Sequence, residues 1–241
     1  MRGGRGVLVS VAFLALPAWA VGEDLIVNGH FNGDVADWKI VRGEGAQAWD
    51  PADFEDNPAS GSLHLTNTGP GPNALTMSGQ CIPFTPSGTY EAGMHVRFPS
   101  GSGPGLASVV VGWFNNPCCG GSPIGFSSSP PVPSTAETWV ESFAPALTPP
   151  PGTVAVGVGP GIIKIGGGSP EAAAAAFAAA DVSWPRNPAC PEAVGPAAGA
   201  PGVPPPPSEI GAGGSLDALF DRVRFGLSGT TPARLQSLSV E

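Results

Sequence analysis

Apolar residues recur at every second position in short runs, and each run is closed by Gly, Pro, Asn or Asp. In residues 106–114, Ala107, Val109, Val111 and Trp113 fall on one side. In 153–158, Val154, Val156 and Val158 alternate with Thr153, Ala155 and Gly157. This is the period-2 pattern of strands packed on one face. Further strand candidates lie at 24–27, 38–41, 46–49, 63–65, 90–98, 138–143 and 216–225. Strands at such intervals, with no helical periodicity between them, predict an all-β fold: an antiparallel β-sandwich or jelly roll. Gly157-Val158-Gly159-Pro160-Gly161 reads as a turn.

One stretch breaks the pattern. Ser169-Pro170-Glu171 has the form of a helix N-cap, a proline at the first helical position and an acid in the first turn. Ala-rich residues 172–180 follow, with Phe177 as the one side chain able to dock them. Residues 166–214 are therefore expected to be an inserted, partly disordered loop holding at most a short helix. Deleting them is expected to leave the fold intact, apart from any bond made by Cys190. The layout is then one sandwich domain over 21–226, with a C-terminal tail at 227–241.

The chain's start changes the compartment. Arg2 and Arg5 precede a short apolar run, Pro17 breaks it, and Ala18-Trp19-Ala20 forms a small-x-small cleavage site. Residues 1–20 are read as a secretory signal peptide, too short to span a bilayer as a helix. Cleavage leaves 8 basic against 19 acidic side chains, a net charge of −11 in place of −9. With no basic cluster, nucleic acid is excluded as a partner. The 36 glycines and 30 prolines are clustered between the apolar runs, as turns joining strands are. Cys81, Cys118, Cys119 and Cys190 become able to form disulfides on export. One or both of the adjacent Cys118 and Cys119 are expected to reach Cys81 and Cys190 rather than each other.

Two motifs carry a family resemblance. Leu25-Ile26-Val27-Asn28-Gly29-His30-Phe31-Asn32, closed by Trp38, stands near the start. Leu219-Phe220-Asp221-Arg222-Val223-Arg224-Phe225 stands near the end. With Gln80-Cys81-Ile82, Gly88-Thr89-Tyr90, Thr138-Trp139-Val140 and Pro151-Gly152-Thr153-Val154-Ala155-Val156 between them, the chain resembles carbohydrate-binding modules of the CenC type, within the galactose-binding-like jelly rolls. The resemblance implies a glycan or polysaccharide partner and places Trp38 and Trp139 in the core. It also implies a structural calcium where the chain ends meet, with Asp24 and Asp221 as its ligands. His30, Asn32 and Arg222 stand where the family carries acids, so three carboxylates are missing. Read without the family, Asp221 shares an apolar face with Leu219, Val223 and Phe225 and needs a partner there. That partner is either a cation or the backbone N–H groups of the Asn28-Gly29 turn.

The chain holds no G-x-S-x-G elbow, H-E-x-x-H pair, P-loop or G-x-G-x-x-G run. His64 and His95 are expected on solvent faces of strands. Asp50, Asp53, Glu55 and Asp56 form an acidic loop, which reads either as a solvated turn or as a rim for calcium or sugar hydroxyls. Sugar binding needs aromatic faces with amides and acids nearby. Trp49, Tyr90, Phe114, Asn115 and Asn116 are the candidates, with Trp113 assigned to the core. The expected function is a secreted, non-catalytic carbohydrate-binding module. The alternative is an extracellular structural or interaction domain of the same fold without sugar binding.

Overall fold

A computed structural model of the protein describes residues 24–166, Trp184 and 215–228. Eleven strands follow in chain order: β1 Lys39–Arg42, β2 Gly45–Asp50, β3 Ser62–Asn67, β4 Leu75–Pro83, β5 Tyr90–Arg97, β6 Gly105–Phe114, β7 Gly125–Ser128, β8 Val132–Pro133, β9 Val140–Leu147, β10 Ala155–Lys164 and β11 Leu216–Leu227. They form two antiparallel sheets. One has the order β1-β4-β10-β6-β7, with β8 also pairing β6, and the other the order β2-β3-β11-β5-β9. The chain is an all-β jelly-roll sandwich, as the alternation predicts. The expected signal peptide, the 169–180 helix, Cys190 and the tail beyond Ser228 lie outside the described residues.

The inner core comes from alternate residues of both sheets. Ala107, Val109, Val111 and Trp113 of β6 meet Leu63, Met94, Val96 and Phe220 of the facing sheet. The opening and closing motifs lie side by side, as the resemblance implies. Leu25 N–H donates to the Phe225 carbonyl at 2.9 Å, and Val223 N–H donates to the Gly29 carbonyl at 3.0 Å. Residues 24–27 nonetheless form no regular strand.

A second apolar cluster covers the outer face of the six-stranded sheet. It holds Met77, Leu106, Val110, Phe114, Ala155, Ile163 and Trp184. Central strands β6 and β10 are therefore buried on both faces and read as near-continuous apolar runs. The glycines between 157 and 161 belong to β10 and not to a turn. Gly79, Gly112 and Gly157, on three adjacent strands, form the floor under the Trp184 indole. A Cβ on Gly79 or Gly157 would overlap that ring, and one on Gly112 would lie 3.0 Å from its Nε1. Trp184 is 3% exposed. The 166–214 segment thus supplies a core side chain and is not simply tolerated.

Strand β4 escaped the pattern because its alternation is inverted. Met77 faces the outer cluster, while Thr76, Ser78 and Gln80 are buried and bonded. Thr76 Oγ1 donates to the Glu44 carbonyl at 2.9 Å, Ser78 Oγ donates to Gln47 Oε1 at 2.7 Å, and Gln80 both donates to and accepts from the Val27 backbone. Polar inward residues are stable there because each finds a partner.

Candidate functional site

The site assembles on the outer face of the five-stranded sheet, under the acidic loop that joins β2 to β3. That loop is built from short side-chain-to-backbone turns. Asp50 Oδ1 accepts from Ala52 N–H at 2.8 Å. Asp53 Oδ1 accepts from Glu55 and Asn57 N–H at 2.7 and 2.9 Å, and its Oδ2 accepts from Ser60 Oγ. Asn57 Oδ1 accepts from Ala59 N–H at 3.0 Å. Burial pushes the Asp53 carboxyl up, but the bonds from Ser60, Asn57 and Glu55 outweigh it and leave its pKa lowered. Of the two readings of this loop, the solvated turn does not describe Asp53, which is buried and organises the turn from inside.

Asp221 fastens the loop to the sheet. Its Oδ2 accepts from Phe54 N–H at 3.0 Å and its Oδ1 from Arg222 N–H at 2.6 Å. Its face differs from the one expected. A register shift between Asp221 and Arg224, with Arg222 at φ +50°, lets both Phe220 and Val223 point inward. Asp221 is thereby turned outward from Val223 and Phe225, and its partners are the 51–60 loop and its own neighbour, not the Asn28-Gly29 turn. The same loop places the Phe54 ring flat on His95, centroids 3.7 Å apart, so His95 is buried rather than on a solvent face. Arg222 adds an ion pair to Glu55 and lies over the Phe54 ring. His64 lies beside Asp217 at 3.3 Å.

Calcium does not suit these residues. Asp24 Oδ1 accepts from Ile26 and Phe225 N–H, both at 3.1 Å, while Asp221 serves two other backbone donors. No three His, Cys, Asp or Glu side chains among the described residues are placed to share a metal ion. A hard cation wants six or more oxygens, carboxylates among them. A chelator is expected to leave the melting temperature unchanged, and a clear fall on adding one would restore the cation.

Burial pushes the Asp221 carboxyl up to about 6. The Phe54 and Arg222 N–H groups oppose this, and Asp53 adds to it. Asp24 is also raised by burial, against the N–H groups of Phe225 and Ile26. A carboxyl with a raised folded-state pKa contributes stability that is complete below its unfolded value, 3.8, and is lost as pH rises through about 6. For Asp221 this is on the order of 3 kcal/mol. Only about half of it, on the order of 1.4 kcal/mol, is gained between pH 7.5 and pH 5, and over that interval thermal melts are expected to rise by roughly 3–6 °C. Flat or falling melts over that interval would show Asp221 to be solvated.

Between the loop and strands β5 and β9 lies a cleft of about 360 Å³, lined by Asp53, Phe54, Asp56, Asn57, Arg97 and Trp139 among others. Trp139 is half-buried rather than core, contrary to the expectation from the family resemblance. The Arg97 guanidinium lies over its ring, 5.2 Å from the centroid. A larger groove of about 500 Å³ runs along Pro130, Pro131, Val140 and Phe143. Its Glu141 is already paired with Arg224, and its Ser142 with Ser129 and the Pro130 carbonyl.

The sequence-derived ligand residues do not converge. Tyr90 is 2% exposed, stacked on Phe225 in the inner core. Phe114 is fully buried in the outer cluster with Trp184. Both are core residues and offer no face to a ligand. Trp49 sits on β2 at the sheet edge, its Nε1 donating to the Phe31 carbonyl at 2.8 Å. Asn115 and Asn116 are exposed beyond β6, where Asn116 Oδ1 accepts from Cys118 N–H at 2.8 Å and shapes the cysteine loop. Cys81 is bonded to Cys119, Cys118 is disulfide-bonded as well, and the described residues hold no free cysteine. Trp139 was set aside because the family resemblance places it in the core, and Arg97 was missed because an arginine ending β5 looks the same in sequence whether it faces solvent or a cleft. The Trp139-Arg97 offset of one strand pair becomes visible only once β5 and β9 are seen to be neighbours.

The chain matches no protein-family model and no curated protein. Among solved structures it is similar to the enzymatically active domain of bacteriophage CBA120 tailspike protein 4, at 13% identity and a TM-score of 0.50, over 85% of this chain and 21% of that one. The match therefore spans about a fifth of the tailspike chain. It is also similar to the C-terminal family 22 carbohydrate-binding module of Clostridium thermocellum Xyn10B, at 12% identity and a TM-score of 0.49, over 84% of this chain and 94% of that one. TmCBM61, solved with β-1,4-galactotriose, gives 12% identity and a TM-score of 0.45 over 84% and 97%. At these identities what the tailspike domain shares with this chain is the β-sandwich fold.

Proposed function

We propose that the protein is a secreted, non-catalytic carbohydrate-binding module whose site is the Trp139 cleft. The observation that carries this is a half-exposed indole set beside a guanidinium, an amide and a carboxylate in one polar cleft: Trp139, Arg97, Asn57 and Asp56. Sugar rings bind through C–H faces on aromatic rings and through hydroxyls on such polar groups. The one close carboxyl pair here, Asp53 and Asp221, is 8% and 0% exposed and occupied by N–H and O–H donors. Neither acid is presented across the cleft as hydrolysis of a glycosidic bond needs, which supports binding without catalysis. Export is supported by the disulfide between Cys81 and Cys119 and by the N-terminal pattern.

The alternative, a structural or interaction domain without sugar binding, draws on the burial of Tyr90 and Phe114, which leaves one indole in the cleft. Affinity electrophoresis in gels cast with soluble polysaccharides separates the two. At least one polysaccharide is expected to retard the protein, and Trp139→Ala should abolish most of that retardation. Retardation equal in the two proteins would move the site elsewhere.

A further inference from the structure

Three arginines stand on the outer face of the five-stranded sheet, and two are neutralised. Arg222 is paired with Glu55 and Arg224 with Glu141, and Arg224 also lies over Phe143. Arg97 differs. Its contact is the Trp139 ring, and among the described residues it makes no ion pair. Of the two acids in the cleft wall, Asp53 is buried, with both oxygens engaged inside the loop. Asp56 is exposed on the rim, held at φ +56°. The cleft therefore presents a planar cation lying over the indole, whose N–H fork makes no ion pair among the described residues.

A guanidinium fork matches a carboxylate with two parallel hydrogen bonds, and its contact with the indole reduces the freedom it must give up on binding. We infer that the cleft selects a carboxylate-bearing sugar, a uronic acid residue of an acidic polysaccharide, with Arg97 holding the carboxylate and the Trp139 indole receiving the ring. This inference rests on the carbohydrate-binding reading of the same cleft. The acidic net charge of the chain does not oppose it at short range, because charges more than about 8 Å apart are screened at physiological ionic strength.

The test uses alginate, polygalacturonate and hyaluronan, each beside its carboxyl-reduced counterpart, with neutral xylan, galactomannan and mixed-linkage β-glucan, and poly-glutamate as a carboxylate without a sugar. At least one acidic polysaccharide is expected to bind about 10-fold or more tighter than its reduced form, and more weakly as salt rises. Arg97→Gln should remove that preference, and Arg97→Lys, which keeps the charge but not the fork, should recover only part of it. Melting temperatures of both variants within a few degrees of the parent establish that the site still folds. Equal binding of acidic and reduced polymers, or an Arg97→Gln protein with an unchanged preference, would overturn the inference and leave the carbohydrate reading standing. Binding of poly-glutamate as tight as any polyuronate would overturn the sugar part of it. No binding to any polysaccharide would overturn the carbohydrate reading itself.

Discussion

Replacing Trp184 with Ala lowers stability by about 3–5 kcal/mol, the range for removing a large buried aromatic side chain. For a domain of this size the melting temperature should fall by roughly 6–20 °C. The reason lies in the floor of the socket. Gly79, Gly112 and Gly157 lie under the indole on three neighbouring strands, and side chains at Gly79 or Gly157 would occupy its space. With glycines as the floor, removing the indole leaves a cavity over bare backbone. Gly157→Val should be destabilising by the converse route, since its side chain and the Trp184 ring cannot share the site. Differential scanning calorimetry checks both variants. A Trp184→Ala protein that melts within a degree of the parent would show that the indole does not hold the outer cluster together. Deletion of 166–214 takes Trp184 with it and is expected to be at least as damaging, which reverses the expectation drawn from its composition.

Loss of the Cys81–Cys119 disulfide is the second large effect. The bridge closes a loop of sequence separation 38, and a loop of that length corresponds to about 4 kcal/mol of unfolded-state entropy. Cys81→Ser combined with Cys119→Ser is expected to lower stability by roughly 2–4 kcal/mol, the usual yield of such bonds. The bond ties the C-terminal part of β4 to the loop after β6, across the β10 strand that both flank. Peptide mapping without reductant should recover Cys81 linked to Cys119, and Cys118 linked to the one remaining cysteine, Cys190. Recovery of Cys81 linked to Cys118, or of four free thiols, would contradict the pairing.

The sandwich was legible because its strands are buried on one face or both, and burial imposes alternation or a continuous apolar run. β6 and β10 show this most plainly. β4 was not legible from alternation, and only Gln80-Cys81-Ile82 was picked up through the family resemblance, because Thr76, Ser78 and Gln80 face inward and satisfy backbone groups of their neighbours. Nothing local in the sequence announces such partners. The register of β11 was misread for a related reason. A bulge at Arg222 changes which residues share a face, and a period-2 count carried through it assigns Asp221 to the wrong side. The candidate site was the least legible part. Its aromatic and its cation come from neighbouring strands separated by more than forty positions, and its rim from a third segment earlier in the chain. Tyr90 and Phe114 were plausible platforms by residue type, but aromatic type alone does not separate a platform from a core ring.

The central claim is that the Trp139 cleft is the glycan-binding surface. The most direct measurement is amide and indole chemical-shift mapping by NMR, titrating the isotope-labelled protein with an oligosaccharide of whichever polysaccharide retards it. The account predicts that the largest changes fall on the Trp139 indole N–H and on the amides of Asp56, Asn57 and Arg97, while Trp184 and the outer face of the six-stranded sheet stay unchanged. Changes centred on the groove between Pro131 and Phe143, or on the cysteine loop at Asn115 and Asn116, with the Trp139 signal unmoved, would contradict it.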